Sequence, residues 1–274
     1  SMGPSPAVTS ATASVTDSGS LTSSTAPMAC PPDACTRAAV AWAGSTTSHL
    51  LTNPEFLRQG TALEDFRNPT RIVVGRFEDA DPAAVALVVD LYDRLTAPIL
   101  IVDVAAAELI KNGANAFLAL KLSFTNEIST MAEEYGTDAA DVMRGIGLDP
   151  RIGTTYMRPS FGFGGSCLPK ELRALAVAGQ DRGLGMHVTV AASEANAAQQ
   201  HRFAERIADA LGGLAGMHIG LLGLAFKAGT DDVRDSPAVA LAERLLAGGA
   251  TVRAYDPEAA ANARRRIPEL HTVD

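Results

Sequence analysis

Apolar positions along the chain fall into distinct regimes. From residue 1 to about residue 44 large apolar side chains are nearly absent, and Ser, Thr, Ala and Pro dominate. Such a tract has little to offset the entropy of ordering and is expected to be disordered. Order should begin near Leu50, where Asn53-Pro54-Glu55-Phe56-Leu57 makes a turn ahead of a polar stretch ending at Asn68-Pro69. The β-branched run 71–75 predicts a buried strand closed by Gly75, and 98–102 predicts a second. Between them, 81–95 repeats apolar residues at helical spacing behind an Asp-Pro start, which is an N-cap followed by Pro at the first helical position. Strand, helix and strand at this spacing predict a βαβ unit with parallel strands.

An uninterrupted helical pattern then covers 105–135, with no Pro and with Gly136 as its C-cap, a length suited to a structural spine. A shorter helix is predicted over 139–146, an irregular Gly/Pro-rich stretch over 147–169, and further helices over 171–178 and 194–211. The run 219–226 reads as a strand breaking into a glycine turn. Ser236-Pro237 opens a helix through Leu246, and 251–255 is a strand ending at Asp256-Pro257. Two strands are fewer than an open parallel sheet normally has, so this C-terminal part is expected to be incomplete. The fold class is therefore α/β, with partial parallel sheets flanking a helical centre.

Bulk composition narrows the function. At 274 residues, 47% hydrophobic and 20% charged, the chain has the make-up of a globular protein of two domains, and aromatics at 5% leave Ala, Leu and Val to fill its core. A net charge of -8 with no Lys/Arg stripe argues against a nucleic-acid partner. There is no long apolar run and no basic leader, so neither membrane insertion nor secretion is expected. Cys30, Cys35 and Cys167 are too few and too uneven for a disulfide framework, which points to a reducing cytoplasm. No metal is called for.

Four segments carry chemistry. In Gly162-Phe163-Gly164-Gly165-Ser166-Cys167-Leu168-Pro169-Lys170 the glycines permit close approach of a ligand and set a thiol at the mouth of a helix, where thiolate is favoured. The plainer reading is a small buried hydrophobe in a tight turn. Lys111 and Asn115 stand four apart on the spine helix and could donate to a developing oxyanion, although a solvated face would look the same. Glu55, in a rigid Asn-Pro turn, could act as a general base toward water or simply lie on the surface. The stretch 226–237 follows a strand and precedes a helix, the place where open α/β sheets bind phosphates, but Gly220 and Gly223 do not complete a G-x-G-x-x-G fingerprint.

Taken in order, these segments resemble the UDP-glucose/GDP-mannose dehydrogenase family over about residues 50–256. The resemblance implies Rossmann-like pieces around a helical dimerisation core. It divides the chain into a low-complexity tract 1–46, a remnant of an NAD-binding domain 47–104, a central catalytic and dimerisation domain 105–212 and a partial UDP-binding domain 213–274. It implies NAD as cofactor and oxidation of UDP-glucose to UDP-glucuronate through a thiohemiacetal and a thioester on Cys167. By the same likeness Lys111 and Asn115 hold the oxygen at C6, while Glu55 and Glu171 serve the water that hydrolyses the thioester. Phe56, Leu57, Phe163, Gly164 and Arg158 line the sugar and nucleotide pocket, Lys227 contacts the diphosphate, and Arg151 reaches the sugar in the partner of a homodimer. Lys170 and Arg234 face the cofactor. Glu171 stands where the family has Asp, Gln59 where it often has Glu, and the family's first Rossmann strand with its glycine turn is not found in the sequence. The alternative is an inactive remnant that dimerises and binds a UDP-sugar. A reductase of the 6-phosphogluconate dehydrogenase type shares the long helix but needs no thiol in a Gly-Gly-Ser-Cys turn.

Overall fold

A computed structural model describes residues 51–273 in full and, ahead of them, the backbone of short strands β1 (Thr12–Val15), β2 (Leu21–Ser24), β3 (Ala39–Trp42) and the start of β4 (His49–Thr52). Three of these strands fall in the tract 1–46, whose other residues lie outside the described ones. The chain divides into two compact units, Ser1–Gly113 and Ala114–Asp274.

The first unit holds a sheet in the order β2-β1-β3-β4-β5-β6. The βαβ unit read from the sequence is present: β5 (Ile72–Arg76) and β6 (Ile99–Asp103) run parallel, with Ile72 opposite Ile99, and α2 (Pro82–Asp90) connects them. Asp81 caps α2 by accepting from the Ala83 N–H at 2.8 Å. Ile72 and Val74 pack with Leu51, Ala84, Val85 and Val88 to form the core. The helix stops at Asp90 rather than Leu95, and isolated turns follow it. Asp90 and Asp93 bring negative charge to the C-terminal end, where the helix dipole disfavours it. A short α1 (Ala62–Arg67), within the stretch read as polar, buries no residue. It is tied down by Arg58, whose backbone N–H and guanidinium donate to Asp65 at 2.8 and 2.6 Å, holding that carboxyl down to about 2.

The spine helix α3 (Val104–Glu134) contains the division between the units and ends at Gly136, which has φ +65° as a C-cap requires. In the second unit α4 (Ala139–Gly147), α5 (Leu168–Gln180) and α6 (His187–Leu211) follow. The last starts seven residues before the predicted position 194, because Val188, Thr189 and Val190 are β-branched and conceal the helical signal. Then β7 (His218–Leu222), α7 (Pro237–Ala247), β8 (Thr251–Tyr255), α8 (Ala260–Arg266) and β9 (His271–Thr272) build a parallel sheet in the order β7-β8-β9. Ser236 caps α7, with Pro237 in its first turn. The core between sheet and helices is small-residue rich, with Leu224, Leu245, Val252, Ala242, Ala254 and Ala263 all fully buried. The sequence reading missed α8 and β9, since Arg264, Arg265 and Arg266 mask a helix that fully buries only Ala263. Among the described residues, no helix is long and apolar enough to cross a membrane.

Candidate functional site

The second unit presents the thiol. Cys167 is exposed and occupies the N-cap position of α5, with Pro169 in the first turn and its carbonyl accepting from the Glu171 N–H at 2.9 Å. The turn leading to it is fixed from two helices. Asn196 of α6 makes a double bridge to Phe163, accepting from its N–H at 2.8 Å and donating to its carbonyl at 3.0 Å. Asn126 of α3 accepts from the Ser160 N–H at 2.8 Å, and Gln199 donates to the Ser160 carbonyl at 2.8 Å. Side-chain bonds of this kind to loop backbone specify one loop conformation, although the buried Asn126 Nδ2 has no partner of its own. Phe163 itself packs with Ala119, Leu172 and Ala192 in a small core.

Loop 226–236 closes over the same turn. The Gly165 N–H donates to the Arg234 carbonyl at 2.9 Å, and a Cβ on Gly164 would stand 1.8 Å from the Asp235 carbonyl oxygen. Gly165, at φ +84°, lies against the Phe226 ring, where a Cβ would come within 2.6 Å. The glycines are required by close approach of backbone and ring as much as by turn conformation. Arg234 is bidentate on the buried Asp232, with its closest contact at 2.6 Å, and Arg173 pairs with Asp235 at 3.3 Å. The Asp232 hydrogen bonds raise the Arg234 pKa further, against burial, and the charges on Asp232, Cys167 and Asp235 add to the effect. An open cavity of about 540 Å³ lies alongside, lined by Phe163, Arg173, Asn196, Arg234 and Arg266 among others.

Glu171 is 1% exposed; Lys170 approaches its Oε1 at 3.7 Å, while its Oε2 has no partner. A carboxyl so buried and half-satisfied is costly to keep unless it has a use. At the far end of β8, Asp256 accepts from the N–H groups of Leu224, Ala225, Glu258 and Ala259 at 2.7–3.0 Å. Burial alone would raise its pKa, but these donors hold the carboxyl below its ordinary range.

The first unit assembles a separate constellation. Lys111, 5% exposed, donates to the Glu55 carbonyl and pairs with its Oε1 at 3.2 Å. Glu55 Oε2 accepts from the Leu57 N–H at 2.7 Å. Phe56 lies under the Arg71 guanidinium, 3.8 Å from the ring centroid. The turn is anchored by Asn53, which donates to the Val73 carbonyl at 2.6 Å and accepts from the Tyr92 hydroxyl.

The residues singled out from the sequence thus fall into two groups. Glu55, Phe56, Leu57 and Lys111 come together in the first unit. Cys167, Glu171, Lys170, Phe163, Gly164, Lys227 and Arg234 lie in or near the thiol turn and its covering loop in the second, with Lys227 over the Phe226 ring at 5.5 Å. Asn115 is half-buried on α3, while Arg158 is exposed beyond the thiol turn. Arg151 is 87% exposed and folded back onto Asp149 at 2.6 Å, which lowers the Asp149 pKa. Sequence reasoning missed Asn126, Asn196, Gln199, Arg173, Asp235 and Asp256. Only the Gln199-Gln200 pair on a helix offered a local cue. Cys30 and Cys35 lie outside the described residues, and among the described ones no cluster of His, Cys, Asp and Glu could hold a metal.

Parallel α/β pieces, a long spine helix and a thiol heading a helix define an α/β protein of the Rossmann type. The chain belongs to the UDP-glucose/GDP-mannose dehydrogenase family: its NAD binding domain matches residues 20–96, its central domain 105–198 and its UDP binding domain 220–274. The match reaches further toward both ends than the span 50–256 on which the motifs rest. A UDP-glucose 6-dehydrogenase of Rhizobium meliloti is 41% identical over 81% of this chain and 51% of its own length. A putative UDP-glucose 6-dehydrogenase of Bacillus subtilis is 41% identical over 77% of this chain and 49% of its own. Among solved structures, the UDP-glucose dehydrogenase of Pyrobaculum islandicum is 42% identical, with a TM-score of 0.77 over 86% of this chain and 52% of its own. The chain spans about half the length of these relatives.

Proposed function

We propose that the chain belongs to an NAD-dependent dehydrogenase that oxidises UDP-glucose to UDP-glucuronate through a covalent intermediate on Cys167. The observation carrying this reading is an exposed thiol at the mouth of α5, in a glycine turn too tightly packed to accept side chains. NAD, when bound, supplies the hydride acceptor for both oxidations. Cys167 adds as thiolate to the C6 aldehyde, forming a C–S bond and a thiohemiacetal. After the second oxidation the resulting thioester is hydrolysed, water donating the hydroxyl of the acid and the thiol leaving. Lys111 and Asn115 donate to the oxygen at C6, and Glu55 takes the proton of the attacking water, with Glu171 placed four residues beyond the thiol to orient it. Phe56 and Leu57 of the first unit and, in the second, Phe163, Gly164 and Arg158 are assigned to the sugar and nucleotide, Lys227 to the diphosphate, and Lys170 and Arg234 are the cations suited to the cofactor's phosphates.

We place the dimer contact on α3, where Phe117, Phe124 and Met131 recur every seven residues and stay 61%, 46% and 52% exposed. A stripe at that period is the geometry of helix pairing, and Arg151 would then serve the partner's sugar.

A second reading is a dimerising UDP-sugar binder without turnover. Replacing Cys167 by Ser should abolish UDP-glucuronate formation from UDP-glucose while sugar binding, read as a rise in melting temperature, persists. Undiminished acid formation by the variant would sink the covalent mechanism. Absence of acid formation by the parent chain, together with unchanged nicotinamide fluorescence at millimolar cofactor, would establish the non-catalytic binder.

A further inference from the structure

Open α/β sheets bind nucleotides at the carboxyl ends of their parallel strands, which in the second unit are the ends of β7 and β8. A dinucleotide there needs free N–H groups in the turn after the first strand for its pyrophosphate, and a free carboxylate at the end of the second for a ribose hydroxyl. Both kinds of group are present, and each is occupied by the other. Asp256, 9% exposed, directly follows β8, and its Oδ2 accepts from the Leu224 N–H at 2.7 Å and the Ala225 N–H at 3.0 Å. Its Oδ1 accepts from the Glu258 N–H at 3.0 Å and the Ala259 N–H at 2.8 Å. The turn is joined to the end of β8 at one more point, where the Gly223 N–H donates to the Tyr255 carbonyl at 2.8 Å. The Ser236 hydroxyl donates to the Leu224 carbonyl at 2.7 Å, so this fully buried residue is held through both of its peptide groups.

We propose that Asp256 is a built-in anion that keeps the β7-α7-β8 unit closed to a dinucleotide: its carboxylate takes the backbone donors a pyrophosphate would need and is itself unavailable to a ribose. Four donors fill the lone-pair positions of one carboxylate, so none is left for a ligand hydroxyl. An entering phosphate would have to displace an anion tethered to the same chain, which competes at high effective concentration. The helix offers no substitute. Loop 226–236 separates α7 from the turn, and Ser236 caps its first turn by accepting from the Val239 N–H at 3.4 Å. The cofactor of the proposed reaction therefore has no seat on this pair of strands. That inference goes beyond the dehydrogenase reading and stands whether or not Cys167 is reactive.

The test is amide NMR of the chain titrated with inorganic pyrophosphate and, separately, with formate, each against sodium chloride at equal ionic strength. In the parent chain the resonances of Leu224, Ala225, Glu258 and Ala259 should stay in place with either anion. In Asp256→Ala the same resonances should shift. Formate, which returns a carboxylate to the vacated position, should also raise the melting temperature of that variant by roughly 3 °C over chloride when present at tenfold its Kd. Movement of these resonances in the parent chain overturns the proposal, because the strand ends would then be open. An Asp256→Ala variant whose amides ignore both anions overturns it too, because the carboxylate would not be standing in an anion's place. If Asp256→Ala does not fold, millimolar NAD added to the parent chain decides: unmoved resonances uphold the closure and shifted ones overturn it. Failure of the dehydrogenase reading would look different, with no acid formed by the parent chain while these amides stay where they are.

Discussion

At the scale of single residues, the tightest position described is Gly164. A methyl group there meets the Asp235 carbonyl oxygen at 1.8 Å and Pro237 Cδ at 2.9 Å, neither of which is the free end of a flexible chain. Gly164→Ala must therefore push loop 226–236 away from the thiol turn. The expected loss is roughly 3 kcal/mol of stability, the upper range for inserting one methyl group into packed structure, and it should be seen as a lowered urea midpoint. An unchanged midpoint would show that the two loops part easily. The glycines were legible in the sequence as a cluster beside a cysteine, but the reason for each was not. Asp235 lies 71 positions from Gly164, and no pattern within the glycine motif encodes that approach.

At the scale of elements, the strands and helices with strong local signals were read correctly and those with mixed signals were not. The pair β5 and β6 and the spine helix announce themselves through β-branched runs and unbroken period. By contrast α1 exists because Arg58 holds Asp65, and the first two turns of α6 form from residues that favour strands. The junction of β7 and β8 offers a pH test. Because backbone donors hold the Asp256 carboxyl below its unfolded value, its contribution to stability is complete above the ordinary carboxylate range near 4 and disappears as pH falls through the lowered folded value. Asp256→Asn leaves two N–H groups facing an amide NH₂ instead of an oxygen. About 3 kcal/mol of stability should vanish at pH 7, since each lost hydrogen bond is to a charged acceptor. The difference between variant and parent should shrink below pH 4; a pH-independent difference in chemical denaturation would rule out the charge as its source.

At the scale of the whole molecule, the family was legible from ordered motifs. The bonds that fix the thiol turn were not, because Asn126 with Ser160 and Asn196 with Phe163 join residues 34 and 33 positions apart. Assembly is the property that belongs to this scale. If α3 forms the dimer, Phe124→Lys places a charge in the middle of its exposed apolar stripe and should shift the sedimentation coefficient to that of a monomer. A dimer that survives both Phe124→Lys and Met131→Lys would move the contact elsewhere.

Asp235 sits where a smaller residue would be more comfortable. Its left-handed backbone costs an L-residue on the order of 1 kcal/mol that glycine would not incur, and its exposed pairing with Arg173 returns little. A screen that rewards heat tolerance alone would drift toward glycine at this site, and Asp235→Gly should raise the melting temperature.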